Sequence, residues 1–313
     1  MPAAVVTAAV AFLGVISFDV SLMFGLTITP LSVCLSCALI AFVVLRHQEQ
    51  AAVSMMLIAG IVVLVAAVVT GAVVVEVLVF VVLCWLGTLV LATILRRTGA
   101  LNLAVLAVVP FTLFIAMVVW SQRSGLIHFW RDALLSSIGE ISEAEKAQLG
   151  AENVEKLFET MPMMMAESAA NWAILVILGS IFIARHWQAS LFNAGGFQRE
   201  FHALKLGKQA AVFCAVVVLL SWLIPSFGGS ADEIGSSSEG VAFPVKLLLA
   251  LASAMLFVFL IQGLSVLHCL AKQRGMNRGW LVGIYVLMPL PLTMLLVGAL
   301  GIADNFVRIR KVQ

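Results

Sequence analysis

Apolar residues fill this chain in runs of about twenty, the number a helix needs to cross the hydrocarbon core of a bilayer. Nine runs are read, over 3–24, 28–45, 52–69, 72–95, 101–120, 169–185, 210–225, 243–269 and 280–302. They lack the strict alternation of a membrane β-barrel. Helices satisfy their own backbone groups in lipid, so the pattern predicts an all-α, polytopic transmembrane helical bundle of about eight or nine segments. The first four runs predict two tight hairpins, turning at residues 25–27 and 70–71. A long polar insertion, 121–168, follows the fifth run. In it Ser142 and Glu145 have capping-box spacing, and Val154, Leu157, Phe158 and Met161 recur at helical intervals. With residues 126–135 it is expected to form amphipathic helices on the outer face, ending at MPMMM. The expected organisation is an N-terminal bundle over 1–120, the insertion over 121–168, C-terminal segments over 169–303 with an interfacial loop at 186–208, and a charged tail over 304–313.

Charge adds an orientation. Loops on one side hold Arg46, Arg96, Arg97, Arg185, Arg199, Lys205, Lys208, Lys272, Arg274 and Arg278 against only Glu49 and Glu200. The opposite loops, with the span-end Lys246, hold five basic residues against eleven acids. The positive-inside rule makes the first set, and the N-terminus, cytoplasmic. One piece conflicts: after nine crossings the tail with Arg308, Arg310 and Lys311 would emerge outside. The sequence MPLPL at 288–292 is expected to kink a single span, the alternative being a re-entrant pair of half-helices.

Composition narrows the chemistry. Charged residues make up 11% of the chain, against about 25% in soluble domains. MPAAVV lacks the basic region of a cleavable signal. The five cysteines, 34, 37, 84, 214 and 269, lie within or at the ends of runs and read as small apolar side chains. Cys34 and Cys37 have redox-pair spacing but no cation nearby to stabilise a thiolate. The histidines lack metal-ligand spacing, and no phosphate loop or nucleophile–base constellation stands out. Neither cofactor, nor metal, nor nucleic acid, nor enzymatic activity is expected.

Two groups of residues are candidates for function. Asp19 and Glu76 are carboxylates within spans, toward the outer side; they suit ion coupling or substrate contact, or else reach the water interface. Lys246 is a candidate partner for either. The second group lies in WQASLFNAGGFQREFHALKLGK, 187–208. Asn193, Gly195 and Gly196 suit a helix end with positive φ. Phe197, Phe201 and Leu204 then fall on one helical face, while Arg199, His202 and Lys205 point elsewhere. An amphipathic anchor in the inner headgroup plane is one reading. The other makes the Gly-Gly amides an anion nest which, with Arg199, His202, Lys205 and Lys208, holds a phosphate-bearing ligand or partner. Gly279 and Gly283 form a GxxxG match that suits close helix packing.

RHWQASLFNAGGFQREFHALKLGK, QGLSVLH (262–268), GWLVGIYVL (279–287) and LGIADNFVRIRK (300–311) resemble the YybS-like family of bacterial multi-pass membrane proteins. The resemblance runs along nearly the whole chain and is most specific in WQAxLFNxGGF, where that family commonly has proline at the position of Ala194. It implies a bacterial inner-membrane location and distant kinship with the substrate-binding subunits of energy-coupling-factor vitamin transporters. It implies no substrate and no catalytic residues. The leading expectation is a transport-type bundle binding a small solute, with an energising protein on its cytoplasmic side. The alternative is a scaffold that holds a cytoplasmic partner or anionic lipid through the 186–208 loop.

Overall fold

A computed structural model describes residues 22–47, 49–70, 75–138, 151–228, 243–307 and 309–310, and every regular element among them is helical. In chain order these are α1 (Leu22–Arg46), α2 (Glu49–Thr70), α3 (Val75–Thr98), α4 (Leu101–Ser121), α5 (Arg123–Ile138), α6 (Ala151–Phe192), α7 (Gly196–His202), α8 (Lys208–Gly228), α9 (Phe243–Gln273), α10 (Arg278–Leu287) and α11 (Pro291–Ala303). Four helices are long and apolar enough to cross a membrane: Leu78–Thr98, Leu101–Ser121, Thr160–Phe192 and Phe243–Gln273. The bent pair Gly279–Leu287 and Pro291–Ala303 makes a fifth if it counts as one span. Over the described residues, Leu31–Arg46, Glu49–Val65 and Lys208–Leu223 are shorter apolar helices. The described residues are thus all helical, with four or five helices long and apolar enough to cross a membrane; the eight or nine segments expected are not confirmed, and the first run, 3–24, lies almost wholly outside the described residues.

Two local expectations change. Residues 25–27 lie inside α1 rather than in a turn. Gly25 is followed by apolar and β-branched residues with no stop signal, and in lipid an opened backbone has no water to bind. Of the second turn, expected at 70–71, Thr70 ends α2 and residue 71 lies outside the described residues, as do the capping-box residues Ser142 and Glu145. MPMMM does not end a helix, because α6 runs through Pro162 for 42 residues. At 1.5 Å per residue that is about 63 Å, twice the hydrocarbon core, so α6 carries the insertion's apolar stripe directly into a span.

The described contacts divide the chain into two compact units: Met1–Arg97 with Phe114–Gln188, and Thr98–Leu113 with Ala189–Gln313. Unit 1 packs through small residues. Ala38, Ala41, Ala92, Ala116, Ala166, Ala170 and Ala173 are buried, which lets helix backbones approach where lipid supplies no hydrophobic drive. Two buried polar contacts join its helices: Trp85 Nε1 donates to Ser36 Oγ at 3.0 Å, and the Thr88 and Ser180 hydroxyls lie 3.3 Å apart. At one end Arg97 Nε meets Glu49 Oε1 at 3.0 Å, and Gln188 Nε2 donates to Leu45 O at 3.3 Å. These contacts gather the ends of α1, α3 and α6 and the start of α2, with Arg46, Arg96, Arg97 and Arg185. Arg123 and Glu167, 3.7 Å apart, join the start of α5 to α6.

Unit 2 is built on α9. The closest partner of α9 is α11, and α7, α8 and α10 also pack on it. The approach to α11 is backbone to backbone: a Cβ on Gly263 would stand 1.9 Å from Val297 O, and one on Gly301 2.1 Å from Phe259 O. Only glycine fits either position. α9 ends in a Schellman motif, with Gly275 at φ 61 and the Met276 N–H on Ala271 O at 2.9 Å. Asn277 then caps α10 by accepting from Gly279 N. Between α10 and α11 the direction changes by 118° at the MPLPL prolines. Pro289 and Pro291 supply no N–H, so the helical ladder fails there, and α11 restarts with proline in its first turn. After this bend, sharper than the kink expected, α11 packs on α9.

Candidate functional site

The turn-back brings the tail against the 186–208 loop, and a buried polar cluster forms where they meet. Arg310 is its centre. Nε and Nη2 both donate to Asp304 Oδ2, at 3.2 and 2.9 Å. Nη1 donates to Ser265 Oγ at 2.7 Å and to His202 O, and Nη2 also donates to Leu204 O. All five guanidinium N–H groups are thereby used, in the planar fork that makes arginine suited to such sites. The Arg310 and Asp304 side chains are both 0% exposed.

The remaining members complete the loop's backbone. Gln262 Nε2 donates to Asp304 Oδ2 at 3.1 Å, while its Oε1 accepts from Leu206 N at 3.1 Å. Asn305 Oδ1 accepts from Gly207 N at 3.0 Å, and Asn305 Nδ2 donates to Gln262 Oε1 and Gly301 O. Ser265 Oγ donates to Phe201 O. Residues 203–207 make no helix, so their amides and carbonyls need partners where water is scarce. Gln262, Asn305 and Arg310 provide them. Asp304 Oδ1 has no hydrogen-bond partner among the described residues.

The loop residues named from sequence divide into support and surface. Gly195 alone of the Asn193–Gly196 group has positive φ, 77°. The Gly196 N–H bonds Asn193 O at 2.8 Å, and Arg199 Nη2 donates to Asn193 Oδ1 at 3.2 Å, so these groups tie the turn to itself. α7 is only seven residues long and ends at His202. Leu204 is buried beyond it rather than on its apolar face, because the backbone leaves the helix to meet the cluster. Phe197 and Phe201 do stack, with centroids 5.9 Å apart. Arg199, Lys205 and Lys208 are exposed, and His202 is partly buried. Burial, then Lys272, His268 and Arg310, hold the His202 imidazole below its usual pKa and favour the neutral ring.

Beside the loop lies a pair that spacing did not single out. His268 Nε2 and the Tyr285 hydroxyl are 2.9 Å apart, and the His268 ring stands edge-on to Phe201 at 5.7 Å. Tyr285 is the only tyrosine in the chain. Gln262, Ser265 and Asp304 were also missed as site residues. The signal available was polar residues at i and i+3 in an apolar run, and one acid in a basic tail.

Of the intramembrane pair, Asp19 lies outside the described residues, and Glu76 is described only as helical backbone near the start of α3. Lys246 is in the first turn of α9. Among the described residues no group of three or more His, Cys, Asp or Glu is placed to hold a metal ion, and the five cysteines are free thiols. Compared with known proteins, the chain matches no family model, no curated protein and no solved structure.

Proposed function

We propose that the protein is a non-enzymatic membrane scaffold whose latched loop presents Arg199, Lys205 and Lys208 to an anionic cytoplasmic partner or lipid surface. The observation that carries this reading is the Arg310 cluster: a guanidinium with all five donors engaged fixes the carbonyls of His202 and Leu204 from inside. A loop held this way loses little further freedom when something binds its outer face, which lowers the cost of association. Ten basic residues on this set of loops make the same side cytoplasmic. The test is charge reversal: Arg199→Glu, Lys205→Glu and Lys208→Glu together should abolish capture of a cytoplasmic protein or of anionic vesicles by the full-length protein. Capture unchanged by the triple reversal would sink the reading.

A solute-binding, transport-type bundle is the second reading, in the bacterial inner membrane and with the kinship that the YybS-like resemblance implies. Supporting it is the 118° break between α10 and α11, since discontinuous membrane helices line solute sites in many transporters. Asp19 and Glu76 are its proposed polar contacts. A solute that binds the folded protein must raise its melting temperature, so a thermal-shift screen tests it, with Asp19→Asn and Glu76→Gln expected to remove the shift.

A further inference from the structure

His268 and Lys272 are one turn apart on α9, on the same side of the helix. His268 meets the Tyr285 hydroxyl of α10 at 2.9 Å and Phe201 of α7 at 5.7 Å. His202, the residue after Phe201, feels both Lys272 and His268. Three elements of unit 2 thus bring an ammonium, two imidazoles and a phenol together. The donor arithmetic is informative. A neutral histidine and a tyrosine own one N–H and one O–H between them, and their mutual bond uses one. One donor is left over in either tautomer. Lys272 is exposed and Tyr285 is 48% exposed, so the ammonium is open to a ligand, and so is the hydroxyl donor when His268 Nε2–H donates to Tyr285.

The location restricts what the ligand is. α9 ends at its Schellman turn directly after Lys272, and Trp280, 63% exposed, follows in the first turn of α10. Basic side chains and tryptophan mark the headgroup layer. Hydroxyl, imidazole and ammonium donors together suit tetrahedral anionic oxygens, whose charge-assisted bonds are the strong ones.

We propose that Lys272, His268, Tyr285 and His202 form a binding site for a phosphate-bearing group. This deepens the scaffold reading and rests on it, giving its anionic partner a phosphate and placing the contact beside the basic loop face. Phe201, edge-on to His268, flanks the site as apolar surface for the rest of a lipid. Within the bilayer the phosphate comes from a phospholipid headgroup; from the aqueous side it comes as a soluble phosphate.

The test uses the full-length protein purified in dodecyl maltoside, with binding read by native mass spectrometry and by thermal shift. Its probes are phosphatidylglycerol, dioleoylglycerol (acyl chains without phosphate) and inorganic phosphate. Phosphatidylglycerol is expected to bind and raise the melting temperature, and dioleoylglycerol not to. Lys272→Ala and Tyr285→Phe should each weaken binding by about tenfold or more, the scale of a hydrogen bond to a charged group. Lys208→Ala, a cation of the loop face, should leave it within about twofold, the scale of an exposed charge. That control also separates this site from the scaffold face, whose failure shows in the Arg199, Lys205 and Lys208 reversal alone. Inorganic phosphate binding with the same dependence on Lys272 and Tyr285 assigns the site to a soluble phosphate; dependence seen only with phosphatidylglycerol assigns it to lipid. Phosphatidylglycerol and inorganic phosphate binding unchanged in both variants would overturn the proposal, as would neither probe binding the parent protein. If Lys272→Ala fails to fold, Tyr285→Phe and His268→Gln carry the test.

Discussion

Arg310 Nη2 lies 2.9 Å from Asp304 Oδ2 with both side chains fully buried, and the same guanidinium holds the carbonyls of His202 and Leu204. Removing one member of a buried ion pair leaves the other charge stranded. Arg310→Ala and Asp304→Ala should therefore each destabilise unit 2 by about 3–5 kcal/mol. The double variant should cost much less than their sum, because no unpaired charge remains. Arg310→Lys should not rescue, since three donors replace a planar fork of five. Urea unfolding in mild detergent reads the energies, and hydrogen exchange at Leu206 and Gly207 reads the release of the loop.

Glycine at 263 and 301 sets the depth to which α11 settles on α9. A Cβ at these positions meets backbone oxygen at 1.9 and 2.1 Å, which no rotamer change relieves. Gly263→Val and Gly301→Val should cost about 1–3 kcal/mol or more and loosen the Arg310 cluster. Gly283 has nothing within 4 Å of an added Cβ. Gly283→Ala should leave the melting temperature unchanged or raise it, as alanine is the better helix residue.

His202 gives unit 2 a pH dependence of defined sign. Its folded pKa is lowered by burial, with Lys272, His268 and Arg310 adding to the effect. Below about pH 6.5 the unfolded chain takes up a proton that the folded one resists. The contribution is complete above that pH and is lost as pH falls toward the folded pKa. Thermal midpoints measured from pH 7.5 to 5.5 should fall less steeply in His202→Gln than in the parent.

Much of the architecture is legible in the sequence, for a physical reason. An apolar run of bilayer length leaves the backbone no alternative to a helix. The run at 101–120 accordingly becomes α4, Leu101–Ser121, within one residue. Breaks were harder. Gly25 does not stop α1 and Pro162 does not stop α6, whereas two prolines two residues apart do break α10 from α11. A single glycine costs no hydrogen bond and a single proline one; Pro289 and Pro291 remove two successive chances to restore the ladder.

The candidate site was legible only in part. The loop's exposed cations follow from its polar pattern, but its support does not. Gln262, Asp304, Asn305 and Arg310 come from distant positions and meet only because α11 reverses. The basic tail, which a nine-crossing reading puts on the side opposite Lys205, was the hint in the sequence that Arg310 meets residues 202–204.

The central claim is that the α10–α11 turn returns the tail to the side of the 196–208 loop, where Arg310 latches it. It is tested most directly by labelling with a membrane-impermeant maleimide in sealed vesicles, using a background whose five cysteines are replaced by serine or alanine. One cysteine is placed at Lys205 and, in a second protein, one after Gln313. Both should react from the same face of the membrane, and both should be protected from the other. Reaction of the two from opposite faces would contradict the account.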